Sequence, residues 1–475
     1  VFESAARVFA RLGTDEPITG TEVVVGRAVV LGGSLAGLLA ARVLSDHAES
    51  VVIVERDALP STAARRPGTP HAGQLHTLMH GGRMQLRRFF PGFEDEAEAG
   101  GAIVSSPYNI RAYADGVPKV SDGTMGLLSS SRPFLEALVR RRTLALPNVK
   151  VLTCRVKGLQ FRDGAVTGVR CGPVPGSGEG AGAAAAEWVE DADFVVDATG
   201  RASKLGDWLE AAGWERPAMR RMLIDIDYAT GYFRRTTSTP ELAAAIAYRT
   251  PTATPPRVAS GAITAIEDDR WLITLANYGK QPPIRTLEEF RKLCGELPPV
   301  YREAVSGEAL EDILTYHQAD SRRRDYHLLK RFPARLIAIG DAVASFNPVY
   351  GQGMSSAALQ ASALSEYLRS APDLRAPARD FLALQRVVVD AAWQISGSAD
   401  LARPDVDGPY PRGHRLTTWL AEQMARASIT DRDVAVRFNS VTYMRSHPSS
   451  LAAPSTLLRA LRVNLTSGKP QRERG

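Results

Sequence analysis

The sequence predicts an α/β fold: a parallel sheet flanked by helices and carrying a β-meander, joined to a second domain built on its own β-sheet, with a helical C-terminal region. Three observations predict it. Ala28-Val29-Val30-Leu31 is a β-branched apolar run that leads through Gly32-Gly33-Ser34-Leu35-Ala36-Gly37 into the helix-favouring stretch Leu38 to Leu44. Leu336-Ile337-Ala338-Ile339 is a second such run, ending in Gly340-Asp341 and leading through Asn347-Pro348-Val349-Tyr350-Gly351-Gln352-Gly353-Met354 into another helix. Short apolar runs of this kind are strands buried on both faces of a parallel sheet. Alternating stretches fill the interval, first from Val149 to Cys171 and then from Met222 to Asn277. These are the meander and the second sheet.

The first segment has the layout of a dinucleotide site. Gly32 permits a tight turn from strand to helix, Gly37 lets helix and strand approach, and the helix N-terminus attracts a pyrophosphate. Ser34 stands where the usual fingerprint has its middle glycine, with Gly33 beside it, and Ala36 belongs to the same turn. The next strand, Val51 to Val54, ends in Glu55, eighteen residues past Gly37, where an acid binds a ribose hydroxyl. An acid here favours an unphosphorylated ribose, as in FAD or NAD. Arg56 follows it directly and joins the candidate contacts.

The second segment brings Asp341 to the carboxyl edge of the sheet, where it can accept a hydrogen bond from a sugar-like hydroxyl. Gly351 and Gly353 let the backbone approach a planar ring, and the helix starting near Met354 directs its positive end there.

At these segments the chain resembles the FAD-dependent monooxygenases of the glutathione-reductase-like FAD-binding Rossmann fold. Phe194-Val195-Val196-Asp197-Ala198-Thr199-Gly200-Arg201-Ala202-Ser203 is similar to the strand-and-glycine motif before the substrate domain of squalene-epoxidase-like members, although Thr199 stands where aromatic hydroxylases usually have Asp. The fuller resemblance is to flavin-dependent epoxidases of polyether biosynthesis, through Pro70 to Gly92, Ile266 to Trp271 and Gly340 to Ser355. It implies a bound FAD that forms a flavin C4a-hydroperoxide with molecular oxygen. NADPH or NADH would supply electrons, directly or through a separate flavin reductase. It further implies cofactor contacts from Arg65 or Arg66 and from Arg132, and an oxygen site shaped by Pro348, Tyr350 and Gly351. The expected reaction is epoxidation of a hydrophobic polyketide or terpenoid intermediate in antibiotic-type secondary metabolism. Aromatic hydroxylation and a flavin-dependent reductase are the alternatives. A halogenase lacks support, since the Trp-x-Trp-x-Ile-Pro signature is absent.

Composition narrows the class further. An apolar share of 44% over 475 residues is ample for a buried core. A net charge of +6 with dispersed arginines argues against nucleic acid. Three cysteines without metal or redox spacing suit a reducing cytoplasm. No apolar run is long enough to span a membrane, and no signal-peptide layout opens the sequence, so the expected location is cytoplasmic. His76 and His80 share a helical face, yet no third ligand stands near, and no metal site is expected.

The expected division assigns 26–105, 131–204 and 328–398 to the FAD-binding domain and 106–130 and 205–327 to the substrate domain. Residues 399–475 form the helical C-terminal region. A helix is expected from Leu75 to Phe90, a loose surface helix over Ala5 to Leu12, and a flexible hairpin insertion over Gly172 to Ala186. The leucines of Ser455 to Leu465 are expected to pack on the domain below. Tyr228, Tyr232, Phe233, Trp271 and Tyr278 are candidates to line the substrate pocket.

Overall fold

The computed structural model describes residues 3–466 apart from 125, 175–185, 236–240, 253–254, 280, 405, 407 and 409. Most of the expected insertion therefore lies outside the described residues. The fold is mixed α/β, with a parallel sheet and flanking helices.

The parallel sheet has five strands, in the spatial order Leu336–Ala338, Phe194–Asp197, Val25–Leu31, Ala48–Glu55 and Val149–Thr153. Val25–Leu31 is central: Leu31 is in register with Asp197 on one side and with Val54 on the other. The carboxyl ends of these three strands thus open on the same edge. The helices Leu35–Ser45 and Gly353–Arg369 cover the sheet, and nearly all their apolar side chains are buried. The meander Arg155–Arg162, Ala165–Gly172 and Trp188–Asp191 forms a separate three-stranded sheet.

A second sheet of eight strands has the long strand Met219–Arg234 near its middle, paired antiparallel with both Arg270–Tyr278 and Leu314–Arg324. Its far edge takes in Ile110–Ala114, which runs parallel to Ala244–Tyr248. The last two residues of its near edge, Ala344 and Ser345, come from the segment just after Asp341. That pairing ties the two sheets together beside the carboxyl edge.

Three local expectations need correction. The helix expected from Leu75 spans only His80–Phe89. The preceding segment is instead held to the large sheet: the Tyr232 hydroxyl donates to the Gly73 carbonyl at 3.0 Å, and the Leu75 N–H donates to the Thr274 hydroxyl at 3.3 Å. The helix Ala5–Leu12 is not loose, because Phe9 and Leu12 are buried in the main core. In the helix Pro454–Thr466, Leu457 packs inward but Leu458 and Leu465 are exposed.

Candidate functional site

A cavity of about 720 Å³ runs along the carboxyl edge of the parallel sheet to the face of the large one. Its walls come from the Gly32–Ala36 turn, Glu55 and Arg56, the connection Arg66–Thr77, Arg132, Thr199–Arg201, Tyr228, Tyr316, Asp341 and the stretch Ser345–Met354. Segments some three hundred residues apart in sequence, at Gly32 and at Asp341, therefore share one wall.

The turn is built by close approach. A Cβ at Gly37 would overlap the carbonyl oxygen of Gly32, so only glycine lets the helix start here. The Glu55 carboxylate accepts from the Gly33 N–H at 2.8 Å and from the Arg56 and Asp57 N–H groups at 2.8 and 3.1 Å, which fixes the acid at its strand end.

Behind it lies a buried ionic network. Arg66 donates to Glu136 at 2.9 Å and faces Glu55 at 3.3 Å, while Arg132 and the Ser34 hydroxyl reach the other Glu136 oxygen at 3.3 and 3.1 Å. Burial alone would push the Glu136 carboxyl up; the charges of Arg132 and Arg66 more than reverse this and hold it below the ordinary carboxylate value. Nη2 of Arg66 and Nε of Arg132 are buried and meet no protein acceptor. On a cavity wall such donors are open to an acceptor from a ligand or from water.

On the neighbouring strand, Asp197 is fully buried and does not face the cavity. It accepts from the Thr199 N–H at 2.9 Å and from the hydroxyls of Thr199 and Ser203, and so shapes the turn that presents Thr199, Gly200 and Arg201 to the cavity. Thr199, the departure noted in the sequence, thereby supplies a hydroxyl to Asp197. Asp341 lines the cavity. Burial pushes its carboxyl up, against the charges of Arg132, Arg201 and Arg324.

The stretch after Asp341 is held by Asn347, whose side chain donates to the Tyr278 hydroxyl at 3.0 Å and to Asp400 at 2.7 Å and accepts from the Val349 N–H at 3.1 Å. Gly351 adopts the left-handed conformation, with φ of 65°. At Gly353 an added Cβ would find nothing within 4 Å, so the first turn of the helix Gly353–Arg369 opens on free space.

The residues expected from sequence divide as follows. Gly32, Ser34, Ala36, Glu55, Arg56, Arg132, Asp341, Pro348, Gly351, Gly353 and Met354 line the cavity. Gly33 and Gly37 stand behind the wall and support it. Arg65 points elsewhere, donating to Glu311 at 3.0 Å and stacking over the Tyr232 ring, and Arg66 takes the wall position. Tyr350 turns its hydroxyl to Asp400 at 2.9 Å, away from the cavity. Of the five aromatic candidates Tyr228 lines the cavity, whereas Phe233 and Trp271 lie in the core of the large sheet. Sequence reasoning missed Glu136, Tyr316 and Asp400 altogether. Glu136 has the local spacing of an ordinary helix-surface pair with Arg132 and Arg140, and its burial comes from Arg66 and Ser34 on other elements; the partners of Tyr316 and Asp400 likewise lie far away in sequence. Among the described residues there is no cluster of three His, Cys, Asp or Glu side chains able to hold a metal, and no helix is long and apolar enough to cross a membrane.

Solved structures share this architecture. A flavoprotein/dehydrogenase from Cytophaga hutchinsonii superimposes with a TM-score of 0.62 at 13% identity, covering 94% of this chain and 99% of that one. The flavin-dependent brominase Bmp2 gives 0.60 at 14%, covering 93% and 98%. PqsL, a probable FAD-dependent monooxygenase from Pseudomonas aeruginosa, gives 0.57 at 19%, covering 88% and 99%. The chain thus has the fold of flavin-dependent monooxygenases and halogenases. No family model matches it. Protein Rv3254 of Mycobacterium tuberculosis is 33% identical over 467 residues, spanning 94% of this chain and 96% of the relative, and the chain belongs to the family of that protein.

Proposed function

We propose that the protein is an FAD-dependent monooxygenase that inserts one oxygen atom into a hydrophobic small molecule. The observation that carries this reading is the one cavity joining the Gly32–Glu55 turn to the Asp341–Gly353 stretch, the two segments that an extended dinucleotide would have to bridge. The residues fit that group: a strand-to-helix turn, an acid fixed at the next strand end, two buried guanidinium donors without acceptors, and open space at Gly353. Ligand cavities of this fold class lie at the carboxyl ends of the strands.

In this reading Glu55 would accept ribose hydroxyls and the N–H groups at the start of the helix Leu35–Ser45 would bind the pyrophosphate. Arg66 and Arg132 would satisfy their free donors on the ribityl and phosphate oxygens, and Asp341 would accept from a ribityl hydroxyl. The flavin, when bound, supplies the activation of molecular oxygen. Pro348 and Gly351 would border the reacting end and limit water there, with Tyr350 acting through Asp400 to hold the stretch in place. NADH or NADPH, or a flavin reductase, would provide the electrons.

Epoxidation of an alkene in a polyketide or terpenoid intermediate is the first form of this reaction, because it requires no side-chain base. Aromatic hydroxylation is the second, and the polar wall formed by His71, His76 and Tyr316 favours it. Purified protein should carry non-covalent FAD and place ¹⁸O from labelled oxygen gas in its product. A protein that takes up no FAD on titration overturns the reading; FAD uptake with reductant consumed and no labelled product reduces it to an oxidase or reductase.

A further inference from the structure

The end of the cavity against the large sheet carries acceptors that the protein leaves unused. The segment Gly73–Leu75 is held there by Tyr232 and Thr274, and the Thr230 hydroxyl donates to the Gln74 side-chain oxygen. That anchoring sets His71 and His76 side by side, their rings 5.2 Å apart, with His71 5.9 Å from the Tyr316 ring. Tyr316 is the cross-strand neighbour of Tyr228, and all four side chains line the cavity.

The hydrogen bonding defines which atoms are free. His76 Nδ1 lies 2.9 Å from the Gln74 carbonyl oxygen. A carbonyl only accepts, so Nδ1 carries the proton and Nε2 keeps its lone pair. Neither Nε2 of His76 nor either ring nitrogen of His71 meets a protein hydrogen-bonding group among the described residues. Burial, with the positive charge of Arg132 adding to it, disfavours the imidazolium at both. Such weakly basic rings accept a hydrogen bond without removing the proton.

We infer that His76 and His71 form an accepting subsite for a neutral hydroxyl group, so that the substrate is a hydroxyl-bearing arene or alkene rather than a plain hydrocarbon. The inference rests on the proposed reading of this cavity as the oxygenation site. A ligand that covers this lone pair without donating to it takes the acceptor out of water unpaired, whereas a hydroxyl satisfies it, so the subsite selects as well as binds. The same lone pair could instead meet an N–H of the flavin ring. The two sources of the donor are separable by experiment.

Calorimetric titration of the FAD-loaded protein with 2-naphthol and with its O-methyl counterpart, 2-methoxynaphthalene, provides the test. The parent should bind 2-naphthol at least about ten-fold more tightly, since the ether cannot donate. His76→Leu should abolish that preference with bound FAD unchanged, whereas His76→Gln, whose amide oxygen can stand near the position of Nε2, should keep part of it. Equal affinity of the parent for the two probes, or no binding of either, overturns the inference whether or not the variants fold. Retained preference in His76→Leu together with a ten-fold loss of FAD affinity also overturns it and assigns the donor to the flavin. Naphthol selectivity in a protein that never takes up FAD supports the subsite and refutes the cofactor reading.

Discussion

At the scale of single residues, the wall of the cavity is set by which buried groups are charged. Burial first, and the nearby Arg132 charge second, hold the His71 imidazole at about 4, below its ordinary 6.5. The unfolded chain therefore binds a proton there before the folded chain does. Between those two values stability falls as pH falls; the contribution is whole above about 6.5 and lost below about 4. Urea unfolding at about pH 5 and about pH 7.5 should show a smaller loss of stability on acidification in His71→Gln than in the parent. An equal loss in both would exclude His71 as a contributing group. Residue chemistry also explains what could be read in advance. Gly32, Gly37 and Glu55 are legible because turn, helix start and acid follow one another locally. The choice between Arg65 and Arg66 is not, because it is made by Glu136, seventy residues on, and by Glu311, farther still along the chain.

At the scale of elements, two helix starts border the cavity and use glycine for different reasons. Gly37 is packed against backbone, and Gly353 faces free space. Gly37→Ala should therefore cost about 3 kcal/mol or more, since the Gly32 carbonyl has nowhere to move. Gly353→Ala should fold with unchanged or slightly raised stability, yet bind FAD at least about ten-fold more weakly, because the new methyl group enters the space left for the ligand. Thermal melts and FAD titrations of both variants separate these roles, and unchanged FAD affinity in Gly353→Ala would remove the helix Gly353–Arg369 from the site. The strand runs and helix starts were visible in the sequence as periodicity and glycine spacing. The absence of helix at Leu75 was not, because it depends on Tyr232 and Thr274, which the second sheet brings in from far along the chain.

At the scale of the whole molecule, the N-terminal helix closes the main core from outside the parallel sheet. Phe9 and Leu12 are each 1% exposed, and the Leu12 carbonyl accepts from the Ser362 hydroxyl at 2.7 Å. Its amphipathic pattern was plain, but sequence alone could not say what lay opposite the apolar face. Phe9→Ala should destabilise the protein by about 3–5 kcal/mol. Leu458→Ala, at a position 67% exposed, should stay within about 0.5 kcal/mol. Chemical denaturation measures both, and a Phe9 variant as stable as the parent would mean that this helix is dispensable.

The order of strands in the parallel sheet carries a consequence for synthesis on the ribosome. Phe194–Asp197, buried along its whole length, pairs on its outer side with Leu336–Ala338. Until residue 338 has emerged, a nascent chain presents that strand as an open, hydrophobic edge, the kind that pairs with other chains. Fragments ending before Leu336 should consequently aggregate, and the strand that carries Asp341 to the cavity also covers the longer apolar edge of Phe194–Asp197, leaving only its own three residues at the margin of the sheet.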